Sequence, residues 1–151
     1  MPRLSLARRY HFSASHRLNT PKLSPEANRE VYGKCNHPFG HGHDYILEVR
    51  VAGEPDPRTG RLVPLHMLDR LVEQQVLIPM NRRDLNTQIE EFASLVPTTE
   101  NLTAVIVRRL KGNWHATFPD RRLFFEKVKI WETARNIIEM EAPLAAAEER
   151  S

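Results

Sequence analysis

The chain has 151 residues, of which 40% are hydrophobic and 27% are charged, and its net charge is +3. This length and balance predict one globular domain, spanning residues 1–151 with a core over about 8–140. No apolar run reaches the roughly 18 residues that a membrane span needs, and the N-terminus has no apolar stretch of signal-peptide length. We therefore expect a cytoplasmic protein that binds no membrane. The basic residues are spread out without stacking aromatic side chains, which argues against a nucleic-acid partner.

The first third of the chain predicts two strands and one short helix. Residues Leu4 to His16 alternate as a strand, which places Tyr10, Phe12, Ala14 and His16 on one face. A long polar connection follows, in which Ser24 can cap a short helix with Pro25 at its first position. The next strand is predicted over His41 to Val51, and one of its faces carries His41, His43, Tyr45, Leu47, Val49 and Val51.

The rest of the chain predicts two helices and then two strands. One helix is expected from Leu65 to about Val76, and a second from Thr99, or one residue earlier, to about Leu110, with a loop over residues 79–86 between them. Residues Leu123 to Glu132 alternate again, and residues 136–141 can pair with them as a hairpin. The expected inward face of that strand carries Phe124, Val128, Ile130 and Glu132. The order predicts an α+β domain with an antiparallel sheet and both helices on one face, followed by a frayed tail at residues 145–151.

A pair of histidines begins the second predicted strand. Side chains two residues apart on a strand point the same way, so His41 and His43 can share one zinc ion, with His16 as the natural third ligand. Three protein nitrogens leave a fourth position open, as in catalytic zinc sites. The alternative is a surface pair of histidines that holds no metal. Cys35, the single cysteine, is either a buried structural thiol or a reactive group whose pKa zinc and Lys34 would lower.

Four segments of the chain together resemble the 6-pyruvoyl-tetrahydropterin synthase family, which includes the 6-carboxy-tetrahydropterin synthases of queuosine biosynthesis. They are FSASHRL at 12–18, VYGKCNHPFGHGHDY at 31–45, PTTEN at 97–101 and WET at 131–133. Five residues separate Cys35 from HGH, which is the spacing of the pyruvoyl synthases. The resemblance implies the tunnelling fold, in which ββααββ subunits join their sheets into a barrel. It also implies a homo-hexamer built from two stacked trimers.

The resemblance further implies a lyase in tetrahydrobiopterin biosynthesis that acts on 7,8-dihydroneopterin triphosphate. Its cofactor would be zinc on His16, His41 and His43, and Cys35 would move protons on the side-chain carbons of the substrate. Glu132 matches the carboxylate that grips the pterin, since a carboxylate accepts both donors of the pterin edge; a buried arginine is the alternative partner. Thr99 and Glu100 match a further pterin contact, although both are also ordinary residues of a helix start.

One segment departs from the family. The family's adjacent Asp–His acid/base pair is replaced by Asn81 and Arg82, and neither an amide nor an arginine titrates at a useful pH. Three interpretations stay open: a synthase in which Asp84 or His37 stands in, side-chain cleavage to a hydroxymethyl-dihydropterin, or a non-catalytic zinc and pterin binder. Arg82 and Arg83 either bind the leaving triphosphate or lie in a solvated loop. An assembly module with a structural zinc is the alternative from a different class of protein.

Overall fold

A single five-stranded sheet organises the protein, and the computed structural model describes residues 3–142. The strands are β1 (Leu4–His16), β2 (His41–Gly53), β3 (Arg83–Asp84), β4 (Leu123–Trp131) and β5 (Ile137–Glu141). They lie in the order β3-β1-β2-β4-β5, and all neighbours are antiparallel except β3, which pairs in parallel with Ala14 and Ser15 of β1. The predicted α+β class and the order of two strands, two helices and two strands are confirmed. The short β3 was not predicted.

Six α-helices are found in the described part of the chain. They are α1 (Pro25–Tyr32), α2 (Leu65–Val72), α3 (Ile78–Met80), α4 (Leu85–Gln88), α5 (Thr99–Gly112) and α6 (Trp114–Thr117). The cap expected for α1 is confirmed, since Ser24 accepts a hydrogen bond from the Ala27 amide. A π-helical turn over Glu73–Leu77 joins α2 to α3, so the helical run is longer than predicted. The loop predicted over residues 79–86 is wrong in part, because its middle adds β3 to the sheet.

The helices α2 and α5 cover one face of the sheet, and the core lies between them and that face. From β2 the core takes Tyr45, Leu47, Val49 and Val51, each no more than 1% exposed. The two helices add Leu68, Val72, Leu102, Val105 and Ile106. The other face of the sheet carries polar side chains at its centre, among them Ser13 and Asp44. None of the helices within residues 3–142 is long and apolar enough to cross a membrane. The tail expected to fray lies outside the described residues.

A β-bulge corrects the prediction for β4. Arg50 pairs with Lys127, but the next pair is Val51 with Phe125, so Glu126 is an extra residue on β4. One extra residue moves every preceding side chain to the other face of the sheet. Phe124, expected on the inward face, is therefore 37% exposed, whereas Phe125 is buried. The expectation for Val128 and Ile130, which follow the bulge, is confirmed because both are fully buried.

The pairing of β1 with β2 brings the family motifs together. In this register His16 lies opposite His41, Ala14 opposite His43 and Phe12 opposite Tyr45. The turn into β2 requires the glycine at position 40, which has a φ of 70°. A Cβ atom at Gly40 would lie 2.6 Å from the His16 carbonyl oxygen, so any other residue would push β1 and β2 apart. This close approach places the histidines of both strands at the same end of the sheet.

Candidate active site

Three imidazole rings converge at this end of the sheet. One ligand atom from each of His16, His41 and His43 lies within 4.8 Å of the others. The Nε2 atoms of His16 and His41 are 3.1 Å apart, and the His41 and His43 ring centroids are 4.6 Å apart. His16 is 1% exposed, and the other two are half-buried. Three nitrogens this close together can bind one metal ion.

The surroundings of the rings fit a metal ion as well. His16 Nδ1 lies 2.8 Å from the Pro97 carbonyl oxygen, which can only accept, so Nδ1 carries the proton and donates it. The Nε2 lone pair of His16 is therefore free and turned towards His41. A backbone carbonyl that accepts the other ring N–H in this way commonly orients a metal-binding histidine. His43 Nε2 is buried and has no hydrogen-bond partner within the described structure, which a bound metal would explain.

Burial keeps two of the rings in the form that binds metals. The pKa of His16 is lowered mainly by burial. The hydrogen bond to Pro97 raises this pKa, and the charges of His43 and His41 lower it further. The pKa of His43 is also lowered mainly by burial, with Glu132 acting in the opposite direction. Both imidazoles are consequently neutral at neutral pH, and a neutral imidazole is the ligand form.

Glu132 lies on the same face of the sheet, one residue past the end of β4. Trp131 pairs with Ile46, so the same register places Glu132 across from Tyr45. The Thr99 hydroxyl donates a short hydrogen bond to Glu132 Oε2. Within residues 3–142 no arginine lies at ion-pair distance from Glu132, so the alternative of an arginine partner is wrong. One carboxylate oxygen of Glu132 therefore lacks a strong partner and is available to a ligand.

The three polar residues at the start of α5 have different roles. Thr98 caps the helix, since its hydroxyl accepts a hydrogen bond from the Asn101 amide at 3.1 Å. Thr99 is 4% exposed and supports Glu132, while its carbonyl accepts from the Thr103 hydroxyl. Glu100 is exposed on the first turn, where a negative charge stabilises a helix N-terminus. The contribution of Glu100 to ligand binding stays a prediction.

Cys35 sits in the 3₁₀ turn Gly33–Asn36 that leads towards β2. Its carbonyl accepts a hydrogen bond from the Leu18 amide at 2.8 Å, which ties the turn to the chain just after β1. Burial raises the pKa of the Cys35 thiol, and the negative charge of Glu132 raises it further. The expectation that Lys34 lowers this pKa is wrong, because burial and Glu132 dominate. This electrostatic effect indicates that the Glu132 carboxylate lies near the Cys35 thiol.

The loop in which Asn81 and Arg82 replace the family's Asp–His pair is attached to β1 at Ser13. The Asn81 side chain accepts from the Ser13 amide at 2.9 Å, and the Arg82 amide donates to the Ser13 carbonyl at 2.6 Å. Arg82 adopts a left-handed conformation with a φ of 60°, which is uncommon for an arginine. The loop lines a cavity of about 500 Å³ on the polar face of the sheet. Of the three histidines, His43 alone also lines this cavity in the described structure. The other lining residues include Ser13, Ser15, Gly42, Asp44, Arg83, Asp84 and Gln88.

The two residues suggested as stand-ins have other contacts in the described structure. Asp84 faces that polar cavity, where its carboxylate accepts hydrogen bonds from the hydroxyls of Ser15 and Thr87. His37 is exposed, and its Nδ1 accepts from the Phe39 amide at 3.3 Å. Asp84 thus lies on the polar side of the sheet, and the suggestion that Asp84 or His37 replaces the missing pair stays a prediction.

Two features of the site had no assigned role in the sequence. The Pro97 carbonyl, which orients His16, comes from a segment 81 residues away and leaves no side-chain signal. The Tyr45 hydroxyl is buried and has no hydrogen-bond partner among residues 3–142, although the alternation of β2 already places Tyr45 on the face of His41 and His43. Burial raises the pKa of Tyr45, as do the charges of Glu132 and Cys35, so the phenol stays protonated.

The fold and the site define an α+β protein in which three imidazoles can hold a metal ion beside a thiol and a carboxylate. The family model described as 6-pyruvoyl tetrahydropterin synthase matches residues 5–143. This chain belongs to that family, which confirms the resemblance, and it is an enzyme of the lyase class.

Individual relatives agree with the family. The chain is 42% identical over 127 residues to the 6-pyruvoyl tetrahydrobiopterin synthase of Poecilia reticulata, covering 84% of this chain and 82% of the relative. The 6-pyruvoyl tetrahydropterin synthase structure from Caenorhabditis elegans superimposes with a TM-score of 0.84 at 35% identity, covering 93% of this chain and 96% of the other. A 6-carboxy-5,6,7,8-tetrahydropterin synthase of Rickettsia typhi is 22% identical, covering 91% of this chain and 99% of the relative.

Proposed function

We propose that this chain is a zinc-dependent lyase that eliminates triphosphate from 7,8-dihydroneopterin triphosphate and rearranges the side chain to give a 6-pyruvoyl-tetrahydropterin. The observation that carries this proposal is the convergence of His16, His41 and His43 beside Cys35 and Glu132 on one face of the sheet. The relatives favour the 6-pyruvoyl product over the 6-carboxy product of the queuosine alternative, because the Poecilia reticulata synthase is 42% identical and the Rickettsia typhi 6-carboxy enzyme is 22% identical.

Zinc is the metal that suits this set of ligands. Three neutral imidazoles with an open fourth position are the ligands of catalytic zinc in several enzymes. When bound there, zinc supplies Lewis acidity towards the hydroxyl groups of the substrate side chain. The chain's own contribution is to hold His16 in one tautomer through Pro97 and to keep His16 and His43 neutral by burial.

The remaining residues act on the two ends of the substrate. The Glu132 carboxylate accepts hydrogen bonds from the 2-amino group and the ring N–H of the pterin. The Thr99 hydroxyl holds that carboxylate in one rotamer. The Cys35 sulfur takes a proton from the side-chain carbons and returns one to them. Because burial and Glu132 hold this thiol protonated, it needs a positive charge nearby before it can act as a base.

The replaced Asp–His pair favours one alternative reaction. Asn81 and Arg82 cannot exchange protons, so Cys35 is the titratable group that this subunit offers to the side-chain carbons. Side-chain cleavage to 6-hydroxymethyl-dihydropterin needs an acidified hydroxyl and fewer proton transfers than the synthase reaction. A non-catalytic protein that binds zinc and a pterin is the third possibility, because the metal and pterin residues do not require the missing pair.

We also propose the family's assembly, a hexamer of two stacked trimers. Within residues 3–142, β3 covers only Ala14 and Ser15 of β1, so the outer edge of β1 from Leu4 to Ser13 has no strand beside it. In the described part of the chain the other edge strand, β5, also has no strand on its outer side. Two open edges at opposite ends of a sheet allow copies to pair head to tail, and such pairing forms a ring when the rotation between neighbouring copies closes.

The reaction can be identified by its products. Zinc-loaded protein incubated anaerobically with 7,8-dihydroneopterin triphosphate is expected to release triphosphate and a tetrahydropterin, measured by mass spectrometry. A 6-hydroxymethyl-dihydropterin would replace the synthase with the cleavage reaction. Recovery of unchanged substrate by protein of verified zinc content would contradict both reactions and leave binding as the function.

The support that Thr99 gives to Glu132 can be tested separately. Thr99→Val keeps the shape of the side chain but removes the hydroxyl that holds the carboxylate. We expect pterin affinity to fall roughly 10-fold or more, because hydrogen bonds to charged groups contribute about 1.5–3 kcal/mol. Affinity is measured by fluorescence titration with a pterin that lacks the triphosphate. Thr99→Ser restores a hydroxyl and should recover most of the affinity; equal affinity of Thr99→Val and the unchanged protein would contradict the role.

A further inference from the structure

The Tyr45 hydroxyl is a polar group that the protein buries but does not satisfy. Tyr45 is 1% exposed, and its hydroxyl has no hydrogen-bond partner within the described structure. The ring is held by Phe12, stacked with centroids 5.1 Å apart, and by the edge contact with His43 at 5.6 Å. A buried hydroxyl without a partner destabilises the folded state, so its presence calls for a partner that binds later.

A second tyrosine on the same face of the sheet has the hydrogen-bond partner that a buried hydroxyl normally has. Tyr10 is also buried, and its hydroxyl donates to Asp69 Oδ1 at 2.8 Å. Arg8 holds the same carboxylate with two further hydrogen bonds, at 2.6 and 2.9 Å. This face of the sheet therefore satisfies the Tyr10 phenol with protein atoms and leaves the Tyr45 phenol unpaired. The difference lies in position, since Tyr45 is the tyrosine next to the candidate metal site.

The register of the sheet places Tyr45 between the two ends of the site. Residues two apart on a strand are separated by roughly 6.6 Å, so Tyr45 follows His43 by one such step along β2. Glu132 lies across from Tyr45 on the neighbouring strand. The charges of Glu132 and Cys35 both raise the pKa of the Tyr45 phenol, which agrees with the closeness that the register gives Tyr45 and Glu132. By this register Tyr45 lies between His43 and Glu132, so a ligand that reaches from the histidine triad to Glu132 would cross the position of Tyr45.

We propose that the Tyr45 hydroxyl is a ligand-binding group that donates a hydrogen bond to the acceptor edge of the bound pterin, formed by the ring carbonyl O4 and the ring nitrogen N5. This inference rests on the proposed function, in which Glu132 grips the pterin and the triad faces the side chain. Along the ring from the N–H that Glu132 holds, the next polar atoms are O4 and N5, and the side-chain carbon follows them. A donor between Glu132 and the triad faces these two acceptors.

The test separates ligand binding from a structural role. Tyr45→Phe keeps the ring against Phe12 and His43 and removes only the unpaired hydroxyl. Affinity for 7,8-dihydropterin, which carries both acceptors and no side chain, should fall roughly 3- to 10-fold in a fluorescence titration of the zinc-loaded protein. The melting temperature of the ligand-free protein should stay equal or rise, because an unsatisfied polar group has been removed. A merely structural tyrosine would not move the two readouts in these directions.

Tyr10→Phe is the matched control, because it removes a satisfied hydroxyl from the same face. It should lower the melting temperature and leave pterin affinity unchanged. Suppose that the wild-type protein binds 7,8-dihydropterin and that Glu132→Gln abolishes this binding. If Tyr45→Phe then binds as tightly as the wild type, the Tyr45 proposal is overturned while the proposed function stands. If wild-type protein of full zinc content binds no pterin, the proposed function and the Tyr45 proposal both fall.

Discussion

Replacing His41 with alanine is expected to abolish stoichiometric zinc binding and turnover together. His41 Nε2 lies 3.1 Å from His16 Nε2, so it supplies one of three convergent ligand atoms, and two imidazoles alone leave the ion poorly held. We expect zinc affinity to fall by more than about 100-fold, since even the loss of a group that only hydrogen-bonds a metal ligand costs about 10- to 100-fold. Zinc content after dialysis and competition with a coloured chelator measure the loss. His11→Ala is the control, because His11 is an exposed histidine on the polar face of β1.

Two further readouts of this experiment decide what kind of site the triad is. The His41→Ala protein and chelator-treated wild type should both remain folded, because the core lies between the sheet and the helices rather than around the metal. Unfolding on removal of zinc would contradict a catalytic site and favour the assembly module. Protonation of the histidines should release zinc only at pH values below the ordinary pKa of an imidazole, because burial lowers the pKa of His16 and His43. Loss of zinc already near neutral pH would contradict this.

Replacing Cys35 with alanine is expected to lower the turnover rate by about 10²–10⁴-fold, the usual contribution of a positioned acid or base. Zinc content and pterin affinity should stay unchanged, because neither the triad nor Glu132 holds its position through the thiol. Steady-state release of triphosphate measures the rate. In the unchanged protein this rate should rise with pH, since the raised thiol pKa makes the thiolate scarce at neutral pH and more abundant in alkali.

The matched comparison for this prediction is Cys35→Ser. A serine keeps the size and the hydrogen-bonding capacity of the side chain but ionises far less readily, so it should remain as inactive as alanine. Restored activity with serine would show that position 35 serves packing rather than proton transfer. Full activity of Cys35→Ala at unchanged zinc content would return the thiol to the structural interpretation and place the proton transfers on another group.

The position of Arg82 bears on the missing Asp–His pair. Within one chain, Asn81 and Arg82 lie at the outer edge of β1, and Arg82 faces the polar side of the sheet. The backbone contact with Ser13 holds Arg82 in its left-handed conformation, so the direction of the loop does not depend on a titratable side chain. In the proposed ring, this loop lies at the edge where the next subunit pairs.

Local patterns in the sequence determined the strands, the main helices and the set of candidate residues. Alternation fixed β1, and with it the placement of His16 on the inward face, because strand side chains alternate wherever the pairing is regular. Ser24 and Pro25 identified the start of α1, since helix capping depends only on neighbouring residues. The histidine spacing of HGH and the order of the motifs indicated the family that the comparisons confirm.

Tertiary structure alone decided the features that depend on partners distant in the sequence. The bulge at Glu126 reverses the faces of Phe124 and Phe125, and it arises from the pairing of β4 with β2. The tautomer of His16 is set by the carbonyl of residue 97, and the carboxylate of Glu132 is held by a hydroxyl from α5. The unpaired hydroxyl of Tyr45 is visible only once its surroundings are complete. In each case hydrogen bonds and burial between distant segments fix the feature, and a periodic pattern carries no information about them.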